Sequence, residues 1–257
     1  MTVRYDEHQV LPSARAILGR TLDACQSLRL PNGLIAHVIV EPGQVLNQSA
    51  QDRVYDLLVP VTSSSFGADM TPYWAQRSKE GYLDRLAEFV VVCDVGGMMV
   101  GWTGYHLLSY DGFAIRYLDS TGIVPRFQSG GTMRELMQRW IMPPENGKAA
   151  PASPAYLTAR SESPIFYKLM RKLLPGHLYP NPSSPTPPQV VAVARHLARW
   201  LGQADLLDEA ALTIRGAYDA LDQLYGELPT CGDRELDQMF GSQLGPLDAF
   251  LLVGQTH

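Results

Sequence analysis

The sequence predicts an α/β (α+β) protein: a mixed, largely antiparallel twisted sheet with helices on both faces and a helical insertion near the C-terminus. Three observations carry this. Strand-like and helix-like segments alternate through residues 1–180. A three-strand antiparallel meander occupies the middle of the chain, which excludes a doubly wound parallel sheet. A run with six prolines over residues 175–188 then separates the alternating part from an acidic, helix-like part.

Each element follows from local pattern. Val10, Ala14, Ile17, Leu18, Leu22 and Cys25 recur at helical spacing and predict a helix over residues 8–28, with Pro12 in its first turn. Residues 34–40 are short and β-branched after Pro31-Asn32-Gly33, and predict a strand. Residues 48–59 and 71–88 predict two helices, each after a plausible start: Asn47 or Ser49, then Thr71-Pro72. Residues 89–93 and 98–108 predict a hairpin about Val95-Gly96-Gly97, and Tyr110-Asp111-Gly112 turns into a third strand over 114–124. Pro125 ends that strand, and a helix follows over 131–141 with Met133, Leu136, Met137 and Trp140 on one side. Residues 142–154, with four prolines, predict a loop; 155–159 a strand; 164–174 a helix. Beyond the Pro-rich run, Val190, Val193, Ala194, Leu197 and Leu201 mark one amphipathic helix. Leu207, Ala210, Ala211, Ile214, Ala217, Tyr218 and Leu221 mark a second, and residues 249–253 a final strand. The chain therefore reads as one domain over 1–257. It has an N-terminal helix extension at 1–30, and an insertion at 181–247 that is Pro-rich, then helical and acidic.

Composition limits the function. The 257 residues are 46% hydrophobic and 18% charged, an ordinary globular balance. A net charge of −5 disfavours a general nucleic-acid binder. Four of the 21 basic and ten of the 26 acidic side chains lie in residues 181–257, so the anionic character sits in the last third. No segment reaches the roughly 18–20 apolar residues that span a bilayer, and residues 1–8 lack the apolar core of a secretory signal. Cys25, Cys93 and Cys231 are few, far apart and in no metal-like spacing. The expectation is a cytoplasmic protein without a metal site, a membrane or a nucleic-acid partner.

The stretch that carries chemistry is Tyr117-Leu-Asp-Ser-Thr-Gly-Ile-Val-Pro-Arg-Phe-Gln-Ser-Gly-Gly-Thr-Met133. It reads as a strand, a Pro stop, a Gly-containing loop and a helix start. Backbone N–H groups at a helix start are unpaired and the helix dipole adds positive potential there. Gly130 and Gly131 leave room for a ligand, Gln128 and Ser129 are further donors, and Arg126 and Arg134 are nearby cations. Together they describe a pyrophosphate cradle, although Gly pairs also serve ordinary turns. The nucleotide P-loop is excluded because its Lys-Ser/Thr ending is missing, and the Rossmann fingerprint because the Gly spacing differs.

Order and spacing over residues 34–180 resemble the Gcn5-related N-acetyltransferases (GNAT). Their acyl-CoA motif, approximately Val-x-Pro-x-Tyr-Arg/Gln-x-x-Gly-x-Gly/Ala, is matched by Ile123, Pro125, Phe127, Gln128 and Gly131. Ser129 replaces the first Gly of the loop and Met133 the last small residue. Residues 160–170 resemble the family's Asn-x-x-Ala-x-x-Phe-Tyr helix through Phe166 and Tyr167, with Arg160 in place of the Asn.

The resemblance implies a GNAT-like sheet with a central splay. It also implies acetyl-CoA or another acyl-CoA as co-substrate, held by the backbone around Ile123 and Val124 and by Gln128, Ser129, Gly130, Gly131 and Thr132. Tyr167 would lie near the thioester sulfur, and Asp119, on the strand before the loop, is the candidate general base. Glu162, Glu88 and His106 are lesser candidates.

Trp102 with its neighbouring aromatics suits either an apolar acceptor wall or a sheet core. Tyr73-Trp74 is a candidate lid, and Gly101 and Gly104 are candidate space for a longer acyl chain. The insertion reads as a lid, a surface for homodimerisation, a recognition surface for a cationic acceptor, or a solvated decoration. The activity implied is acyl transfer to the amine of a small molecule by direct attack on the thioester. The alternatives are a GNAT-fold lyase or decarboxylase, or a non-catalytic CoA-binding module.

Overall fold

The computed structural model describes residues 11–142, 155–219 and 221–256. Most of the loop expected at 142–154 and the first residues of the helix expected at 8–28 lie outside this range. The chain forms two compact units, Met1–His106 with Leu118–Ala150, and Leu107–Tyr117 with Pro151–His257.

In the first unit the expected N-terminal helix is replaced by two short ones. Helices α1 (Ala14–Leu18) and α2 (Arg20–Ala24) meet at Gly19, whose φ of 41° breaks the axis. Residues expected to end that helix instead form β1 (Gln26–Arg29), antiparallel to β2 (Ile35–Val40) with Gln26 opposite Val38. A short α3 (Pro42–Val45) precedes α4 (Gln48–Phe66), where the Asn47 side chain accepts from the Ala50 N–H at 3.0 Å. Helix α4 runs past Pro60 and stops at Gly67, in the left-handed conformation. The helix expected over 71–88 is divided into α5 (Thr71–Lys79) and α6 (Tyr82–Arg85) by Gly81 at φ 64°.

Then come β3 (Glu88–Cys93) and β4 (Met99–Tyr110), the expected hairpin, with the Asp94 carboxylate accepting from the N–H groups of Gly96 and Met98 across the turn. Strand β3 is antiparallel to both β2 and β4, and its residues 89–93 are all buried.

The strand expected over 114–124 is interrupted. Strands β5 (Phe113–Leu118) and β6 (Gly122–Ile123) are separated by residues 119–121, with Ser120 at φ 58°. Strand β6 pairs with β4, Gly101 opposite Ile123 and Trp102 opposite Gly122. A 3₁₀ turn (Pro125–Gly130) and Gly131 at φ 73° lead to α7 (Thr132–Leu136), which continues as a π-helical turn, Met137–Ile141.

The second unit contains β7 (Tyr156–Ser161), α8 (Pro164–Leu173), β8 (Leu178–Tyr179), α9 (Pro188–Trp200), β9 (Leu207–Asp208), β10 (Thr213–Ile214), α10 (Arg234–Gln243) and β11 (Ala249–Gln255). Its strand order is β5-β7-β11-β10-β9, with β8 also pairing β11. Strand β11 runs antiparallel to β7 from Phe250 opposite Ser161 to Gln255 opposite Tyr156. The expected mixed, largely antiparallel sheet with helices is what forms.

The insertion is part of this core. Val190, Val193, Ala194 and Leu197 of α9 are buried with Ile115, Tyr117, Tyr156, Leu251 and Val253. The second helix expected there is instead the β9–β10 pair, with Leu212 at φ 51° between the strands. Arg160 ties the insertion to β7: its Nε donates to the Tyr117 hydroxyl at 3.0 Å, and its Nη1 donates to Gln203 Oε1 at 2.6 Å and to the Ala217 carbonyl. The Pro-rich run lies inside this unit and contributes β8. Val193→Ala is therefore expected to cost about 2 kcal/mol in urea unfolding, from two lost methyl groups and the space they leave. A cost below about 0.5 kcal/mol would mark α9 as a loose appendage.

Candidate functional site

The loop between β6 and α7 has the features of an anion cradle. Among the described residues no side chain caps α7, and the first N–H groups of a helix have no intrahelical acceptor. Thr132, at the helix start, is 1% exposed and its Oγ1 has no hydrogen-bond partner among the described residues. A buried hydroxyl in that state is costly unless something else bonds it. Arg134 folds back so that a Cβ on Gly131 would lie 3.3 Å from its guanidinium.

Gly130 has a different reason for lacking a side chain: a Cβ there would collide with the Asn32 amide. Its room is taken by the protein. Arg126 pairs with Asp94 at 3.5 Å. The Val124 N–H bonds the Val100 carbonyl at 2.9 Å, so the main-chain groups of Ile123 point to the other edge of β6. There the Ile123 carbonyl accepts from Gln128 Nε2 at 3.0 Å. Gln128 thus steadies its own strand.

Asp119 sits in the interruption between β5 and β6, 4% exposed. Its carboxylate accepts from the Arg77 guanidinium of α5, and its Oδ2 lies 3.0 Å from His106 Nε2. His106 Nδ1 lies 2.9 Å from the Arg85 carbonyl, so both ring nitrogens face acceptors. Tyr82 donates to the Asp119 carbonyl at 2.9 Å and its ring lies beneath Arg77. Burial pulls the Arg77 pKa down, but the Asp119 charge, with Tyr73 and Tyr82, more than reverses that and raises it. The Asp119 carboxylate is thus already engaged by a guanidinium and faces an imidazole. The sequence signal for Asp119 was its place on the strand; nothing local pointed to Arg77.

Tyr167, on α8 in the second unit, is buried edge-on against Phe240. Its hydroxyl donates to the Pro180 carbonyl at 2.8 Å. Burial raises its pKa, Arg171 lowers it and Glu235 raises it, so the phenol keeps its proton. In the same unit Glu162, which opens the β7–α8 junction, is 5% exposed with Oε2 buried and unpartnered among the described residues. Burial, then the nearby Asp248 charge, push its pKa up to about 8. Glu88 accepts a hydrogen bond from Trp140 Nε1.

Other candidates have structural roles. Trp74 is buried and donates to Thr62 Oγ1 at 2.9 Å, so it is core and not a lid. Trp102 is likewise buried, donating to Ser120 Oγ at 3.0 Å. A Cβ on Gly101 would meet the Gly122 carbonyl, and one on Gly104 the Leu86 and Tyr82 side chains. Both glycines admit protein atoms, so neither leaves space for an acyl chain. Among the described residues no helix is long and apolar enough to cross a membrane.

No family model matches the chain, and no curated protein matches it. Several solved structures do. A GNAT family N-acetyltransferase from Escherichia coli, in complex with CoA, is similar over 57% of this chain and 68% of its own, at 14% identity and a TM-score of 0.35. A Corynebacterium glutamicum protein called histone acetyltransferase HPA2 and related acetyltransferase is similar over 59% of this chain and 92% of its own, at 15% identity and a TM-score of 0.38. Spermidine N-acetyltransferase from Vibrio cholerae, in complex with CoA and spermine, is similar over 55% and 83%, at 14% identity and a TM-score of 0.33. The first belongs to the family that the two motifs resemble, and all three are acetyltransferases.

Proposed function

We propose that this chain is an acyl-CoA-dependent acyltransferase that moves an acetyl or other short acyl group onto the amine of a small molecule. The observation that carries the reading is the uncapped start of α7 beside the buried Thr132 hydroxyl, which has no partner among the described residues. A pyrophosphate supplies the acceptor oxygens that those donors lack. The outward N–H of Ile123 suits a carbonyl on the amide-bearing arm of the same molecule, while Gln128 holds the Ile123 carbonyl. Tyr167 keeps its phenolic proton, the state in which a phenol can protonate or hydrogen-bond a thiolate. Asp119 acts indirectly: with Arg77 and His106 it fixes the strand interruption from which Ile123 and the loop depart.

Thr132→Val separates binding from folding. The variant is expected to fold with unchanged or slightly higher stability, because an orphaned hydroxyl is removed. Its affinity for acetyl-CoA should fall about tenfold in calorimetric titration, the worth of one hydrogen bond to a charged group. Failure of the unaltered protein to bind acetyl-CoA, with no free thiol released in the presence of any amine, would sink the reading. Binding without thiol release would favour a CoA-binding module.

A further inference from the structure

One serine of the first unit is set up as a nucleophile in a way that acyl transfer at the α7 cradle does not use. Strands β1 and β2 place Ser27 directly opposite His37, and Ser27 Oγ lies 3.0 Å from His37 Nδ1. The Leu22 carbonyl of α2 acts on the same ring as a hydrogen-bond acceptor. With Nδ1 facing the hydroxyl, that carbonyl draws the neutral ring's one proton to Nε2, and Nδ1 accepts from Ser27. Burial lowers the His37 pKa, the Leu22 carbonyl raises it, Arg15 of α1 lowers it and Asp23 of α2 raises it, with a net fall from the ordinary 6.5. On the far side β3 sets only Val91 opposite His37. His37 is therefore a neutral base at pH 7. The main chain completes the arrangement. The Leu30 N–H bonds the Leu34 carbonyl at 2.9 Å, and bonded and non-bonded pairs alternate from there. Ser27 and His37 thus form a non-bonded pair, the kind that brings side chains closest. The Ser27 N–H then points away from β2, as does the Arg29 carbonyl, which accepts from Arg139 Nη1 at 3.0 Å. Strand β1 ends the sheet order, and among the described residues no strand pairs with its outer edge. Ser27 is exposed there.

We propose that Ser27 is a nucleophile toward activated acyl esters, with His37 as its base and the Ser27 N–H as donor to the oxyanion. The Oγ–H bond breaks and the proton forms an N–H bond on His37 Nδ1. The freed electron pair forms a C–O bond from Oγ to the ester carbonyl. The carbonyl's electron pair moves onto its oxygen, beside the Ser27 N–H, and returns as the bond to the leaving oxygen breaks. That oxygen takes the proton from His37, and the product is an O-acyl serine. A nucleophile's own main-chain N–H stands next to the oxyanion of its tetrahedral adduct. The edge is open to water, which weakens that donor, so the expected gain is at the low end for a general base, about 10²-fold.

The test treats the full chain with p-nitrophenyl acetate and locates acetyl groups by peptide mass spectrometry. Ser109, exposed on β4, is the internal reference. Acetyl should form on Ser27 about 10²-fold faster than on Ser109, and hydroxylamine should remove it, as it removes an ester and not an amide. The ratio of the two rates should rise with pH through a value below 6.5 and then level, because only the neutral His37 ring takes the proton. His37→Gln should bring the ratio to about 1 and flatten it across pH. In the parent, a ratio below about threefold, or one that is flat from about pH 5 to about 7.5, overturns the proposal, and neither result depends on a variant folding. Diisopropyl fluorophosphate, whose serine adduct does not turn over, is run in parallel to catch an acyl-serine that water removes quickly: an Oγ–P bond forms as the P–F bond breaks. Absence of both adducts from Ser27 also overturns the proposal. Thiol release from acetyl-CoA is measured separately, so its failure sinks acyl transfer and leaves the Ser27 result standing.

Discussion

Asp119→Ala should lower the free energy of unfolding by about 3–5 kcal/mol, measured by urea denaturation followed by circular dichroism. The carboxylate is buried among Arg77, His106 and the Tyr82 hydroxyl bond to its own backbone. Removing it leaves the guanidinium buried and facing the imidazole without an anion between them. Arg77 would keep only the Glu80 carboxylate, 3.6 Å from its Nη1, and its Nε has no partner among the described residues. The paired change Arg77→Met with Asp119→Leu should recover most of the loss, since a buried ion pair replaced by apolar groups is often neutral. The cycle separates the pair's interaction from the cost of an orphaned charge. A loss below about 1 kcal/mol for Asp119→Ala would show that the network does not hold the strand.

Glu162→Gln should make the protein more stable in weakly alkaline buffer, by an amount that grows with pH. The ordinary glutamate value is 4.5, and burial with the Asp248 charge raises Glu162 to about 8. Between those values the folded protein keeps a proton that the unfolded chain has released. Stability therefore falls as pH rises from about 4.5 to about 8, by at most about 1.4 kcal/mol per unit. Below the window both states are protonated, and above it the loss is complete and constant. Glutamine carries no such proton, so the difference between variant and parent should open across the window and reach a few kcal/mol. Urea midpoints from pH 4.5 to 8.5 read it directly. Parallel curves for the two proteins would mean that Glu162 ionises normally in the folded state.

Much of the fold was legible where burial imposes a period. Strand β3 and its hairpin partner were readable because Phe89 and its neighbours form a continuous apolar run closed by the turn Asp94-Val95-Gly96-Gly97. Helices α8 and α9 were readable from their apolar stripes. Strand β1 was not, because Gln-Ser-Leu-Arg at an exposed edge has no apolar face to show. The β9–β10 pair was misread for a related reason: Leu207, Ala210, Ala211 and Ile214 happen to fall at helical spacing, while Leu212 takes a left-handed conformation that no pattern announces. Helix α10 was missed although Leu236, Met239 and Phe240 have the right spacing after the capping Asp233.

In the site, the loop was visible as a string of residues with local meaning. The reason for Gly130 was not, since it lies in Asn32. Nor was the engagement of Asp119, since its partners come from α5 and β4.

The position of β11 has a kinetic consequence. It lies between β7 and β10 in the second unit, yet the whole insertion separates it from β7 in sequence. Such distant pairings raise contact order and slow folding. During synthesis β7 emerges long before its antiparallel neighbour, so its hydrogen-bonding edge stays open until residues 249–255 leave the ribosome. Chains stalled within the insertion are therefore expected to be the aggregation-prone species, and chaperone dependence should end only when β11 has been made.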